Sequence, residues 1–130
     1  MVDCPPTFTM YAFDSDVNAG GVITVPRRDG FKLDVPAIKA AVAERQPKVV
    51  FLTSPNNPDG SMISEAELLE ILALPVLVVL DEAYIEFSSE ATRMPWVTSV
   101  PNLVVLRTFS KSAGLAGLRV GCALAPRAVR

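Results

Sequence analysis

The chain has 130 residues, half of them hydrophobic, and its 12 basic against 14 acidic side chains leave a net charge of −2. This size supports one modest hydrophobic core, and the near balance of charge disfavours nucleic acid or a polybasic membrane-binding surface. Histidine is absent, which excludes Ser-His-Asp catalysis, Cys-His catalysis and histidine metal sites within this chain, so we expect no metal.

The N-terminal third predicts a helix, a short strand and a second helix. Residues 7–19 form the first helical pattern, with Thr7 as a possible N-cap and a glycine pair as the stop. The strand covers residues 21–26 and ends at a proline. Asp34 then precedes a helix over residues 35–44, whose first turn contains a proline.

The remainder predicts further strands alternating with helices. Ser64 and Glu67 form a capping box, which begins a helix that runs to about residue 74 before a proline. One short helix is expected within residues 91–100. The apolar runs predict strands over residues 48–54, 76–80, 103–106 and 118–125.

This alternation is typical of an α/β fold with a mostly parallel sheet in three αβα layers. In such sheets, ligands bind beyond the carboxyl ends of the strands. That rule selects three loops, residues 54–60, 81–84 and 108–119. The polar residues of interest lie in all three, so the sequence predicts one ligand site at this edge.

Residues 107–121 carry one lysine among hydroxyls, glycines and an arginine, directly after an apolar strand. The amine of Lys111 can form a Schiff base with a carbonyl compound. The hydroxyls of Thr108 and Ser110 and the guanidinium of Arg119 suit a phosphate. The stretch therefore indicates a phosphorylated carbonyl ligand. The simpler alternative is a surface lysine beside a glycine turn.

The other candidates also have local explanations. Asp81 ends an apolar strand, where a partly buried carboxylate needs a cation or a donor, but it could instead cap a helix. Tyr84 could pack in the core, Asn57 could serve a turn, and Arg119 could pair with a carboxylate. Their joint placement at neighbouring strand ends favours a common site.

Several stretches together resemble a known family. They are Ser-Pro-Asn-Asn-Pro at 54–58, Asp-Glu-Ala-Tyr at 81–84, Ser-Lys at 110–111 and Leu-Ala-Gly-Leu-Arg-x-Gly at 115–121. These motifs closely resemble the fold-type I aminotransferases, which use pyridoxal phosphate. Residues 4–11, 81–87 and 106–111 narrow the resemblance to histidinol-phosphate aminotransferases, nearest the plant-type sequences. It extends over nearly the whole chain.

The resemblance implies roles around the cofactor ring. Lys111 would be the Schiff-base lysine and the proton shuttle. Asp81 would pair with the pyridine nitrogen and keep it protonated, so that the ring acts as an electron sink. Tyr84 and Asn57 would donate hydrogen bonds to the phenolic oxygen of the ring.

The resemblance also implies a phosphate grip and a stacking residue. Ser110 and Arg119 would hold the phosphate, with help from Thr108. Phe8 falls where the family stacks an aromatic ring, usually tyrosine, on the cofactor. Asp59 stands where many relatives have threonine, and we expect it to serve the turn.

The implied reaction is transamination between L-histidinol phosphate and 2-oxoglutarate, giving imidazole acetol phosphate and glutamate, in a homodimer. The core motifs do not separate this enzyme from aminotransferases of aromatic or aliphatic amino acids. A non-catalytic cofactor-binding module, such as half of a transcription regulator, is a further alternative, although no basic helix-turn-helix signal is present. A hydrolase using Thr108 and Lys111 is disfavoured because its companion motifs, Ser-Asp-Asn and Lys-Thr-Gly, are absent.

The resembled enzymes are much longer than this chain. The resemblance therefore implies that residues 1–130 are part of the large cofactor-binding domain. The C-terminal small domain with its carboxylate-binding arginine, an earlier phosphate-binding segment and a tyrosine from the partner subunit would be missing. We expect such a fragment to be unstable and inactive alone. Cys4 and Cys122 lie far apart in the sequence, which disfavours a disulfide framework and favours a reducing compartment. The sequence shows no signal-peptide pattern and no membrane span. We therefore expect a soluble intracellular protein, in the plastid stroma if plant-type and otherwise cytoplasmic.

Overall fold

The computed structural model describes residues 1–129, in which short strands alternate with helices. The strands are β1 Val2–Asp3, β2 Ile23–Thr24, β3 Val49–Thr53, β4 Leu77–Asp81, β5 Leu103–Thr108 and β6 Gly121–Leu124. The α-helices are α1 Met10–Val17, α2 Val35–Arg45 and α3 Glu65–Leu72. Short 3₁₀ turns cover Asp29–Phe31, Ile85–Phe87, Met94–Thr98, Ala116–Leu118 and Arg127–Val129.

The strands of residues 1–129 join one sheet in the order β2-β1-β3-β4-β5-β6. Strands β1 to β5 run parallel, and β6 runs antiparallel to β5. The predicted α/β fold with a mostly parallel sheet is therefore confirmed. The continuous apolar sequences of the central strands fit this arrangement, because both faces of a parallel sheet are covered.

Most of the core lies between the sheet and the helices α2 and α3. Its side chains that are at most 2% exposed include Ile38, Val50, Leu52, Leu68, Ile71, Val78, Leu80, Leu103 and Val105. Successive residues of a strand point to opposite faces, so Phe51 faces away from this cluster. Tyr11 of α1 stacks on Phe51, with 4.9 Å between ring centroids. Helix α1 thus covers the other face, which gives three layers.

Two of the predicted helix starts are confirmed by their caps. The side chain of Asp34 accepts a hydrogen bond from the backbone N–H of Ala37 at 3.0 Å, at the start of α2. Ser64 and Glu67 bond to each other's backbone N–H groups at the start of α3. Each cap satisfies amide groups that have no partner inside the helix.

Other predicted boundaries were wrong. Thr7 does not cap α1, which begins at Met10 after Thr9. The Thr7 hydroxyl instead donates to Asn56 Oδ1 at 3.0 Å, so a contact across 49 positions prevails over local capping. The two-residue strand β1 was not predicted either. The short helix expected within residues 91–100 is present, as the 3₁₀ helix Met94–Thr98.

The register brings the strand ends together. Thr53 pairs with Asp81, and Thr108 at the end of β5 pairs with Gly121 at the start of β6. The loops after β1, β3, β4 and β5 therefore leave the sheet on one side, which we call the carboxyl edge. Within the described part of the chain, no helix combines the length and apolar character that crossing a bilayer would require.

Candidate active site

A cavity of about 520 Å³ opens at the carboxyl edge. Small-molecule sites span roughly 300–1,000 Å³, so its size suits a cofactor or metabolite. All of the residues that the sequence predicts for the site line this cavity, namely Phe8, Asn57, Asp81, Tyr84, Thr108, Ser110, Lys111 and Arg119. The fold thus brings the three predicted loops together, and the segment after β1 joins them.

Asp81 is held at both of its carboxylate oxygens. Oδ2 accepts a hydrogen bond from the Tyr11 hydroxyl at 2.6 Å, and Oδ1 accepts one from the backbone N–H of Ala83 at 2.9 Å. The second bond is a local contact with the residue two positions on, and Asp81 does not form the helix cap that the sequence offered as its simpler role. The first bond joins the end of β4 to α1 across 70 positions and was not anticipated.

Tyr11 belongs to a buried hydroxyl network behind this carboxylate. Thr53 Oγ1 lies 3.0 Å from the Tyr11 hydroxyl and 3.2 Å from Thr7 Oγ1. Burial, together with the neighbouring Asp81 charge, raises the pKa of Tyr11 far above its ordinary value. The phenol therefore stays protonated at neutral pH and remains a hydrogen-bond donor.

Lys111 and Tyr84 meet across the cavity. The Lys111 amine lies 5.0 Å from the centroid of the Tyr84 ring, a cation–π distance. Lys111 is exposed, whereas Tyr84 is half-buried after β4. The lysine therefore reaches the loop after β4 from the loop after β5, and its amine is accessible to a ligand.

Residues 108–120, which we call the lysine loop, run from the last residue of β5 to the start of β6 and supply the hydroxyls and the guanidinium. Thr108 Oγ1 accepts a hydrogen bond from the backbone N–H of Ser110 at 3.1 Å. Arg119 donates to the carbonyl of Ala116 at 3.1 Å, inside its own loop. Its backbone lies in the left-handed region, with a φ of 51°, which turns the chain into β6.

Gly121, the first residue of β6, allows that turn to close. A Cβ added there would stand 2.8 Å from the carbonyl oxygen of Arg107 on β5, closer than ordinary van der Waals contact permits. Only glycine lets the two strands approach this closely. The motif glycine thus sets the distance between the two ends of the lysine loop.

In the loop after β3, Asn56 stabilises the turn and Asn57 lines the cavity. Asn56 is buried and donates to Asp59 Oδ1 at 2.5 Å, while Asp59 Oδ2 accepts the backbone N–H of Ser61 at 3.1 Å. The predicted turn role of Asp59 is confirmed. Asn57 is left facing the cavity.

Phe8 stands at the mouth of the cavity. Its ring is roughly perpendicular to the ring of Tyr11, with 5.4 Å between centroids and an interplanar angle of 79°. It is 41% exposed, so one part of the ring remains open to a ligand.

Sequence reasoning missed some members of the site. Tyr11 and Thr53 line the cavity, as do Arg107 and Cys122. Phe8, Tyr11 and Ala12 fall on one face of the predicted first helix. The hydroxyl of Tyr11 was the available signal, since a buried phenol usually requires a partner. Arg107 forms an ion pair with Glu86 and lies 3.8 Å from buried Glu82, so it connects β5 to the segment after β4.

Comparison with known proteins gives a consistent picture. A family model for aminotransferase class I and II matches residues 2–130. The chain is 61% identical to the chloroplastic histidinol-phosphate aminotransferase 1 of Arabidopsis thaliana over 129 residues, which is 99% of this chain and 31% of that protein. The chain thus spans about a third of the length of the curated relatives it matches.

Solved structures show the same architecture. The crystal structure of histidinol-phosphate aminotransferase from Sinorhizobium meliloti in complex with pyridoxal-5'-phosphate matches with a TM-score of 0.86 at 33% identity, over 97% of this chain and 35% of that one. L-Threonine-O-3-phosphate decarboxylase from Porphyromonas gingivalis matches with a TM-score of 0.80 at 27% identity, over 98% of this chain and 38% of that one.

Proposed function

Because this chain belongs to the class I and II aminotransferase family, we propose that it forms the cofactor-binding part of a pyridoxal-phosphate-dependent histidinol-phosphate aminotransferase. The observation that carries the proposal is the convergence of the eight predicted residues on one cavity. The 61% identity to the Arabidopsis enzyme supports the choice of substrate. Residues 1–130 are then part of a large cofactor-binding domain.

The donor set of the cavity fits pyridoxal phosphate group by group. A carboxylate, Asp81, suits a protonated pyridine nitrogen, and the amine of Lys111 suits an aldehyde carbon. The phenol of Tyr84 and the amide of Asn57 suit the phenolic oxygen of the ring. The aromatic ring of Phe8 supplies a stacking surface.

The lysine loop offers the groups that a phosphate needs. Thr108 and Ser110 contribute hydroxyls, and Arg119 contributes a guanidinium, which binds phosphate oxygens through paired N–H donors. All three line the same cavity as the amine of Lys111. A ligand that carries both an aldehyde and a phosphate can therefore be held at two points of one loop.

The chain's own residues then have defined tasks in transamination. When bound, pyridoxal phosphate supplies an electron sink that allows a proton to leave the substrate's Cα. Lys111 Nζ takes and returns that proton as the general base and acid. Asp81 holds the proton on the ring nitrogen, and Tyr84 and Asn57 orient the ring. Phe8 and the loop walls limit the access of water.

The substrates of the proposed enzyme are L-histidinol phosphate and 2-oxoglutarate, and it acts as a homodimer. The chloroplastic Arabidopsis relative supports a plastid location. The likeness to L-threonine-O-3-phosphate decarboxylase favours one second candidate, decarboxylation of a phosphorylated amino acid at the same site. Release of carbon dioxide without formation of glutamate would identify that reaction.

The test places this chain in a longer enzyme. In a chimera, the 130 residues replace the matching segment of the Arabidopsis relative, and glutamate formation is measured with L-histidinol phosphate and 2-oxoglutarate. Borohydride reduction in the presence of pyridoxal phosphate, followed by peptide mapping, should place the label on Lys111. Lys111→Ala should abolish labelling and turnover, whereas Lys39→Ala, which removes a partly exposed side chain of α2 that pairs with Glu70, should retain both. Label on another lysine of this chain would contradict the proposal.

A further inference from the structure

The hydroxyl network behind Asp81 has a fixed direction. An ionised carboxylate only accepts hydrogen bonds, so Tyr11 must donate in the 2.6 Å contact with Asp81. A phenol has one hydrogen, and therefore the Tyr11 oxygen can only accept in its 3.0 Å contact with Thr53. Thr53 thus donates to Tyr11, and Tyr11 donates to Asp81.

We propose that Tyr11 is a positioning residue for the cofactor: its hydroxyl holds the Asp81 carboxylate in the orientation that meets the ring nitrogen. This inference rests on the proposed function. The two donors to Asp81 come from separate elements, Tyr11 from α1 and Ala83 from the loop after β4. A carboxylate held at both oxygens cannot rotate freely, yet it retains lone pairs for a third donor.

The position of the Tyr11 hydroxyl is itself set by packing. The Tyr11 ring stacks on Phe51 at 4.9 Å with an interplanar angle of 21°, and the Phe8 ring packs against it in a T-shaped arrangement, with 5.4 Å between centroids. Tyr11 is only 7% exposed. Tyr11→Phe would therefore preserve these ring contacts and remove the hydroxyl alone. Thr53→Val is a second, nearly isosteric variant that removes the donor to Tyr11.

The effect of the hydroxyl is measurable without catalysis. Pyridoxal phosphate labelled with ¹⁵N at the ring nitrogen reports by NMR whether that nitrogen is protonated. The measurement uses the full chain, both by itself and within the chimera defined above. In Tyr11→Phe the ¹⁵N signal should move toward the unprotonated position, and the cofactor should bind about tenfold more weakly. Thr53→Val should move the signal in the same direction by a smaller amount.

Tyr84→Phe is the matched control, since Tyr84 is the only other tyrosine of the sequence. It should weaken binding but leave the ¹⁵N signal unchanged. A Tyr11→Phe protein with the wild-type signal and affinity would overturn the inference. If circular dichroism shows that Tyr11→Phe has lost its β-sheet, Thr53→Val serves as the test instead. A wild-type signal and affinity in that variant would then overturn the inference. Wild-type protein that is not labelled at Lys111 overturns the proposed function, and with it this inference.

Discussion

Replacing Asp81 with asparagine keeps the shape of the side chain and removes its charge. The backbone N–H of Ala83 can only donate, so it should keep its hydrogen bond by donating to the amide oxygen of the new asparagine. The amide NH₂ then faces the Tyr11 hydroxyl, which must accept and point its hydrogen toward Thr53. The network can thus be rebuilt in the opposite direction, and we expect the free energy of unfolding to fall by no more than about 1 kcal/mol.

Asp81→Asn should weaken cofactor binding by more than it lowers the free energy of unfolding. Asp81→Asn replaces a charge-assisted hydrogen bond to the ring nitrogen, a contact worth about 1.5–3 kcal/mol. Because about 1.4 kcal/mol corresponds to a factor of ten in the dissociation constant, pyridoxal phosphate should bind about 10-fold to 150-fold more weakly. Turnover should fall further than affinity, since the neutral ring is a poorer electron sink.

The assay is an absorbance titration of the chimera with pyridoxal phosphate, combined with thermal unfolding of the cofactor-free protein. Asp59→Asn is the control, because Asp59 lies in a neighbouring loop and bonds to Ser61. It should leave the affinity within about twofold of the wild-type value. Wild-type affinity and turnover in Asp81→Asn would refute the assignment of Asp81 to the ring nitrogen.

Four further outcomes are expected. Gly121→Ala forces a Cβ to within 2.8 Å of the Arg107 carbonyl oxygen, and denaturant titration should show a loss of about 1–3 kcal/mol. Ser64→Ala removes the N-cap of α3 and should cost about 1 kcal/mol in the same assay. Burial raises the pKa of Cys4 to about 12, so iodoacetamide at pH 8 should label exposed Cys122 first by mass spectrometry. Pyridoxal phosphate should slow labelling of Cys122, which lines the cavity; equal rates with and without it would contradict the proposed site.

The parts of the fold that depend on local chemistry could be predicted from the sequence. Asp34 and Ser64 cap helices through bonds to residues three positions away, so each pattern is complete within a few letters. The apolar strands and the parallel sheet follow from the same kind of pattern. The convergence of Asn57, Asp81 and Lys111 followed from the rule that the carboxyl ends of parallel strands share one edge.

The parts that depend on distant contacts could not be read from the sequence. Thr7 has the chemistry of an N-cap, but its hydroxyl bonds to Asn56, and the helix starts later. Tyr11 shares one face of the predicted helix with Phe8 and Ala12, which is the usual signature of core packing. Its bond to Asp81 spans 70 positions and depends on how α1 crosses the sheet, which no local pattern encodes.

The cavity is walled by segments that follow four different strands, and this gives the cofactor a thermodynamic role beyond chemistry. These four segments come together only when the whole sheet has formed. A ligand that contacts all of them therefore binds the folded chain and not its unfolded forms. By mass action, saturation at 100 times the dissociation constant would raise the free energy of unfolding by about 2.7 kcal/mol. The supply of vitamin B6 would then set how much of the protein survives proteolysis, as well as how fast it turns over.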